Sequence, residues 1–202
     1  MGGSSAQSLA ALVGFAFAAV WTPGPNTFML AASGATFGLR RTVPHVLGVT
    51  FGFPVMLFII TLGLGEVFRT QPALRSAIAW TGVAVMLWLA LRLLRQAGAA
   101  EGKVGAQPLS FTAVAAFQWV NPKAWVMSIA VAATYASGNA PLTEALIATA
   151  IFAAVGAPSA LSWAAAGAGL RRFLGTGWRL RSFNAAMAVL LAGSAIALVM
   201  WE

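Results

Sequence analysis

Two short stretches hold the backbone breaks and side chains from which this chain could build chemistry. The first, Trp21-Thr22-Pro23-Gly24-Pro25-Asn26, sits inside an apolar run with no charged side chain from Met1 to Leu39. The second, Gln118-Trp119-Val120-Asn121-Pro122-Lys123, ends on the one formal charge that falls within an apolar span. Proline removes a backbone donor and pushes the preceding residue out of the α region, so a helix cannot pass through the first stretch intact and is expected to break at the second as well. A helix that restarts after a break presents unpaired N–H groups and the positive end of its dipole. That is chemistry for an anion, most simply the carboxylate of a small solute. Broken helices at membrane depth are tolerated only where they are buried in protein or line a cavity.

The side chains around the breaks extend this reading. Asn26 and Asn121 carry amides that both donate and accept, suited to contacting a ligand or simply to capping the restarted helices. Lys123 is a functional candidate because burying an ionisable group in a membrane is costly. It could hold a carboxylate or exchange a proton; otherwise its ammonium pairs with carbonyls freed by Pro122 or snorkels to water. Gln118 lies about one turn before the second break and could face the same cavity. The candidate substrate-binding residues are therefore Pro23, Gly24, Pro25, Asn26, Gln118, Asn121, Pro122 and Lys123. Ser159 and Ser162 beside Pro158 come next, although hydroxyls within spans often bond only to backbone. Trp21, Trp119, Trp125 and Trp163 fall near mid-span by count and either line a pocket or pack between helices, packing being the expectation. His45, close after Arg40 and Arg41, reads as a headgroup-level residue rather than a ligand.

Composition removes most competing classes. Hydrophobic residues make up 60% of the chain and charged residues 8%, with a mean hydropathy of +0.85, whereas soluble domains carry about 25% charge. The chain reads as an all-α integral membrane protein with the lipid bilayer as its surroundings. A net charge of +8 would suit nucleic acid, but the basic residues fall between apolar spans, as topology signals do, so no nucleic-acid partner is expected. With no cysteine, no aspartate, one histidine and only Glu66, Glu101, Glu144 and Glu202 as acids, a metal site, thiol chemistry or a carboxylate pair is hard to assemble. No cofactor or metal is expected. No hydroxyl is placed by sequence beside a base, which argues against an enzyme. The N-terminus lacks a positive n-region, so no cleavable signal peptide is expected.

The elements that must position the two breaks follow from apolar length. A spanning helix needs about 20 mostly apolar residues, and six stretches qualify, near Ser8 to Thr36, Thr42 to Leu64, Leu74 to Leu94, Ser110 to Ala136, Leu142 to Gly169 and Phe183 to Trp201. The first and fourth carry the breaks near their middles, and Pro54 and Pro158 are expected to kink the second and fifth. Gln96 to Leu109, with Gly98, Gly102, Gly105 and Pro108, reads as the one linker. It divides the chain into a first three-helix repeat (1–95), a cytoplasmic linker (96–109) and a second three-helix repeat (110–202). Three spans per half make the halves enter from opposite sides, as inverted repeats do, and aligning Pro25 with Pro122 pairs the two breaks near the midplane. With the N-terminus outside, inner loops hold Arg40, Arg41, Arg92, Arg95, Lys103, Arg171, Arg172, Arg179 and Arg181, and outer loops only Arg69 and Arg75. Both termini should therefore face away from the cytoplasm. Gly34-x-x-x-Gly38, Gly48-x-x-x-Gly52 and the run Ala164 to Gly169 would let helices approach closely, and such faces also permit a homodimer.

Taken together, Thr22-Pro23-Gly24-Pro25-Asn26, Gly34, Phe37-Gly38-Leu39-Arg40-Arg41, Gly48, Gly52 and Phe117-Gln118-Trp119-Val120-Asn121-Pro122-Lys123 resemble the LysE/RhtB family of amino-acid exporters across essentially the whole chain. Within it, Pro108-Leu109-Ser110-Phe111 leading to Phe117-Gln118-Trp119-Val120-Asn121 is most similar to the cysteine/O-acetylserine exporters. The resemblance implies efflux of amino acids or close derivatives across the bacterial inner membrane, driven by an ion gradient rather than ATP, with a proton the expected ion. The chain departs from an acid-based scheme, because no acidic residue lies deep within its spans. A proton relay would need Lys123, His45 or the edge residue Glu66, and a neutral zwitterion fits better than a cationic solute. The expected mechanism is alternating access around the paired breaks; the alternative is a non-transporting membrane scaffold, in which the break residues could be changed freely.

Overall fold

The computed structural model describes residues 2–64, 70–98, 107–135, 139–175 and 177–199, and all regular structure among them is helical. Glu66, Arg69, Glu101, Lys103, Trp201, Glu202 and most of the expected linker lie outside the described residues.

Helix α1 (Gly2–Trp21) stops before Pro23, and α2 (Pro25–Phe37) starts on Pro25, whose missing donor is harmless at the first helical position. The two axes differ by 50° across Thr22-Pro23-Gly24. Gly38, at φ 79°, then reverses the chain into α3 (Leu39–Ile59), a conformation that a Cβ would strain. Helix α3 runs through Pro44 and Pro54 without ending and finishes in a π-turn over Ile60–Leu64. Helix α4 (Pro72–Gly98) continues two residues past Gln96, where the sequence suggested the linker begins.

The second interruption is gentler. Helix α5 (Phe111–Phe117), capped by the Ser110 hydroxyl accepting from the Ala113 N–H at 3.2 Å, tightens into a 3₁₀ turn over Gln118–Val120. Asn121 is extended (φ −85°, ψ 112°), as the residue before a proline should be, and α6 (Pro122–Tyr135) restarts from it. Helices α7 (Pro141–Leu174) and α8 (Trp178–Val199) complete the described chain; Pro158 lies inside α7 without ending it.

Helix α7 is the central column, with α1, α2 and α3 packed on it, while α4 and α8 pair beside α2. Small residues set the closest approaches. A methyl group built on Gly34 would lie 2.1 Å from the Ala164 carbonyl oxygen, and one on Gly167 would lie 2.0 Å from that of Ala31, so α2 and α7 meet backbone to backbone. Gly48 and Gly52 do the same for α3 against α5, where added methyls would come 2.7 Å from Val114 and 2.6 Å from Ala115. Gly169, in contrast, faces open space.

Large apolar side chains point outward around the whole bundle, among them Phe17, Phe51, Trp80, Val126, Val189 and Ile196, the surface that lipid covers. Among the described residues, the helices over 39–63, 72–95 and 141–174 are each long and apolar enough to cross a membrane, and the bent pair 7–21 with 25–37 is so only when its two arms are taken together. Helix α6, at 14 residues, is too short to cross alone, since crossing needs about 20.

Candidate functional site

The two interruptions meet in space. Lys123, the second residue of α6, sends its ammonium to the far break, where Nζ donates to the carbonyls of Thr22 and, at 3.5 Å, Pro23. Those are carbonyls that α1 can no longer pair, because the residues that follow them are prolines and the start of a new helix. Lys123 thus bonds to carbonyls of the first break, not to those freed by Pro122. Gly24 makes room for it: a Cβ there would lie 2.9 Å from Lys123 Cδ and 3.3 Å from Nζ. At φ 178° Gly24 is simply extended, so the glycine answers a need for space rather than for a special conformation.

The first turn of α2 is tied by Thr27, whose hydroxyl accepts from the Gly24 N–H and donates to the Gly24 carbonyl, both at 2.8 Å. Sequence reasoning missed Thr27, although a hydroxyl three residues into a helix that starts on Gly-Pro is a recognisable capping position. Asn121 does the equivalent for α6: its Oδ1 accepts from the Lys123 N–H at 3.2 Å, and the residue is 1% exposed.

A reciprocal amide pair joins the two halves of the chain. Asn26 Nδ2 donates to Gln118 Oε1 at 2.9 Å, and Gln118 Nε2 returns a bond to Asn26 Oδ1 at 3.2 Å and another to the Val114 carbonyl at 2.9 Å. Gln118 is fully buried, so each of its amide groups needs these partners. Asn26→Ala is expected to strand the Gln118 amide and destabilise the protein by about 1–3 kcal/mol. Thermal unfolding in detergent checks this, and the exchanged double variant Asn26→Gln with Gln118→Asn should recover part of the loss.

Gly24, Asn26, Asn121 and Lys123 line one cavity of about 50 Å³, together with Thr27, Thr50 and Ser159. Phe53, Met127 and Phe152 supply its apolar wall. Pro23, Pro25, Gln118 and Pro122 do not line it; the prolines shape the chain around it and Gln118 holds Asn26 from behind. Ser159 Oγ donates to the Val20 carbonyl at 2.8 Å, relieving another unpaired acceptor at the end of α1, whereas Ser162 is exposed and plays no part. The Thr50 hydroxyl is buried on the cavity without a hydrogen-bond partner among the described residues. The volume holds a few waters and falls well below the roughly 300 Å³ of ordinary ligand pockets.

None of the four mid-span tryptophans lines this cavity. Trp119 and Trp125 pack edge to face at 6.4 Å, with Trp125 Nε1 donating to the Trp119 carbonyl at 2.7 Å, and Trp21 stacks on Phe17 at 5.5 Å. His45, read from the sequence as a headgroup-level residue, is buried inside the bundle. It is 1% exposed, because α2, α4 and the segment 107–109 cover α3 at this turn, one turn beyond the exposed Arg41.

Comparison with known proteins gives a consistent answer. The LysE type translocator family matches residues 17–201. The cysteine/O-acetylserine efflux protein of Klebsiella pneumoniae is 30% identical over 183 residues, covering 88% of this chain and 90% of its own. The cysteine/O-acetylserine efflux protein of Escherichia coli K12 is 28% identical over 153 residues (72% and 75%), and that of Salmonella paratyphi A is 27% identical over 147 residues (72% and 75%). No solved structure matches the chain.

Proposed function

The chain belongs to the LysE type translocator family, and from that premise we propose that it exports small neutral amino acids or close derivatives across the cytoplasmic membrane, with cysteine and O-acetylserine the first solutes to test. Family membership makes it a multi-pass membrane translocator and not an enzyme. The observation that carries the reading is the Lys123 ammonium resting on the carbonyls of the first break, inside a cavity that the start of α2 also lines.

A zwitterion supplies both complements. Its carboxylate takes Lys123 and the unpaired N–H groups at the restarted helices, and its ammonium takes the Thr22 and Pro23 carbonyls that Lys123 releases. Asn26 and Asn121 then fix orientation through groups that donate and accept. The cavity is too small for the solute as it stands, so binding requires α2 and α6 to separate from α3 and α7. Six spans arranged as two inverted repeats, 1–95 and 110–202, would perform that opening alternately toward each face, with both termini on the outer side and an ion gradient as the drive. Gly34, Gly48, Gly52 and Gly167 are used for contacts within the bundle, so a homodimer would form through another face.

Counterflow in proteoliposomes tests it. Vesicles holding the purified protein and unlabelled solute should accumulate labelled cysteine, O-acetylserine or serine, and repeating the assay with pH or sodium gradients identifies the ion. A folded protein that exchanges none of a panel of neutral amino acids would refute the reading.

A further inference from the structure

A second cavity, of about 20 Å³, lies between α2, α3, α4 and the segment Gln107–Leu109. Its lining is apolar except for His45, Ser33, Arg92 and Gln107. His45 reaches it from α3, and neither Nδ1 nor Nε2 has a hydrogen-bond partner among the described residues. Buried polar atoms are nearly always paired, so an imidazole left with both nitrogens free is an exception that calls for a use. Ser33 of α2 lines the same space, its hydroxyl 3.1 Å from that of Thr42. The charged group facing the imidazole is Arg92 of α4, whose Nη2 donates to the Gln107 carbonyl at 3.1 Å. Arg40 and Arg41 on α3 are exposed, Arg41 over the Phe37 ring, and Arg171 of α7 lies beside Gly38; α5 presents no titratable side chain to α3.

The position links this cavity to the first. Along α3, His45, Val49 and Phe53 recur every fourth residue, and along α2, Asn26, Leu30 and Ser33 share one face. Val49, Phe53, Asn26 and Leu30 line the cavity at the breaks; His45 and Ser33 line the second. One α2–α3 seam therefore carries both, and a change in charge at His45 acts on the same two helices that must move for solute to enter.

Resting on the transporter reading above, we propose that His45 binds and releases the coupling proton. A neutral imidazole accepts one proton on its free ring nitrogen when the seam is open to the outside, and the imidazolium returns it to the cytoplasm when the seam opens inward. One proton enters for each solute that leaves, and no bond other than N–H is made or broken.

In proteoliposomes with labelled cysteine or O-acetylserine, His45→Gln is expected to keep counterflow within about twofold of the parent protein, while export driven by a pH gradient falls at least about tenfold. Undiminished gradient drive, or equal loss of both activities, overturns the assignment. A parent protein that exchanges solute but ignores pH gradients overturns it too, yet leaves the transporter reading standing; one that exchanges nothing sinks both. His45 is the one histidine in the chain, so labelling the untagged protein with 15N-histidine gives a ring signal from this residue alone, with no variant to misfold. That signal should move from neutral imidazole toward imidazolium as the pH falls, and shift when solute is added. A ring that keeps one protonation state throughout, with and without solute, overturns the proposal.

Discussion

Lys123→Met is expected to cut counterflow at least about thirtyfold, since losing one partner of a buried charge pair costs about 2–5 kcal/mol. Methionine keeps most of the apolar stem that runs past Gly24, so the space is filled and only the charge is removed. The protein should stay monodisperse in detergent, because the Thr22 and Pro23 carbonyls that lose their donor are left on a cavity with room for water. Lys123→Arg should restore little, because a planar guanidinium does not fit where a methyl group on Gly24 would already be 2.9 Å from the lysine stem. Gly24→Ala should mimic the loss in part by displacing the ammonium. Full exchange by Lys123→Met would remove this lysine from the site.

Gly167→Leu should have the largest effect on stability. Even a methyl at this position would be 2.0 Å from the Ala31 carbonyl oxygen, and the reciprocal position Gly34 is as tight against Ala164. Backbone on both sides leaves no side chain free to give way, so α2 and α7 must part. Within a membrane close packing is itself the attraction between helices, and separation forfeits it. Overpacking by a methyl costs about 1–3 kcal/mol, and leucine should exceed that range. Gly169→Leu, two residues away in open space, is the control and should change unfolding by no more than about 0.5 kcal/mol. Equal unfolding midpoints for the two variants in detergent would refute the close approach of α2 and α7.

Much of this was legible because membrane sequences are written in coarse physical terms. The lack of charge and the apolar runs announce helices in lipid, and Pro23, Gly24 and Pro25 cannot be read as continuous helix, so the end of α1 at Trp21 and the start of α2 at Pro25 follow from local chemistry. The spacing Gly48-x-x-x-Gly52 likewise stated a close approach, though not that α5 would be the partner. What could not be read was who meets whom. Lys123 bonds to a carbonyl 101 residues away, and Gln118 to an amide 92 residues away; local sequence holds no record of such pairings. His45 was misplaced for a related reason. Its neighbours Arg40 and Arg41 suggest a surface, but one turn further along the same face of α3 is covered by α2, α4 and the segment 107–109, and local sequence does not show which turn of a helix its neighbours cover.

The clasp between Asn26 and Gln118 reaches past this one molecule. Each amide saturates the other, so neither position is free to drift alone: an aspartate at one would face two lone pairs, and an alanine would strand a buried amide. In an alignment of relatives, substitutions at 26 and 118 should therefore arise as matched pairs, leaving a covariation signal between columns 92 residues apart.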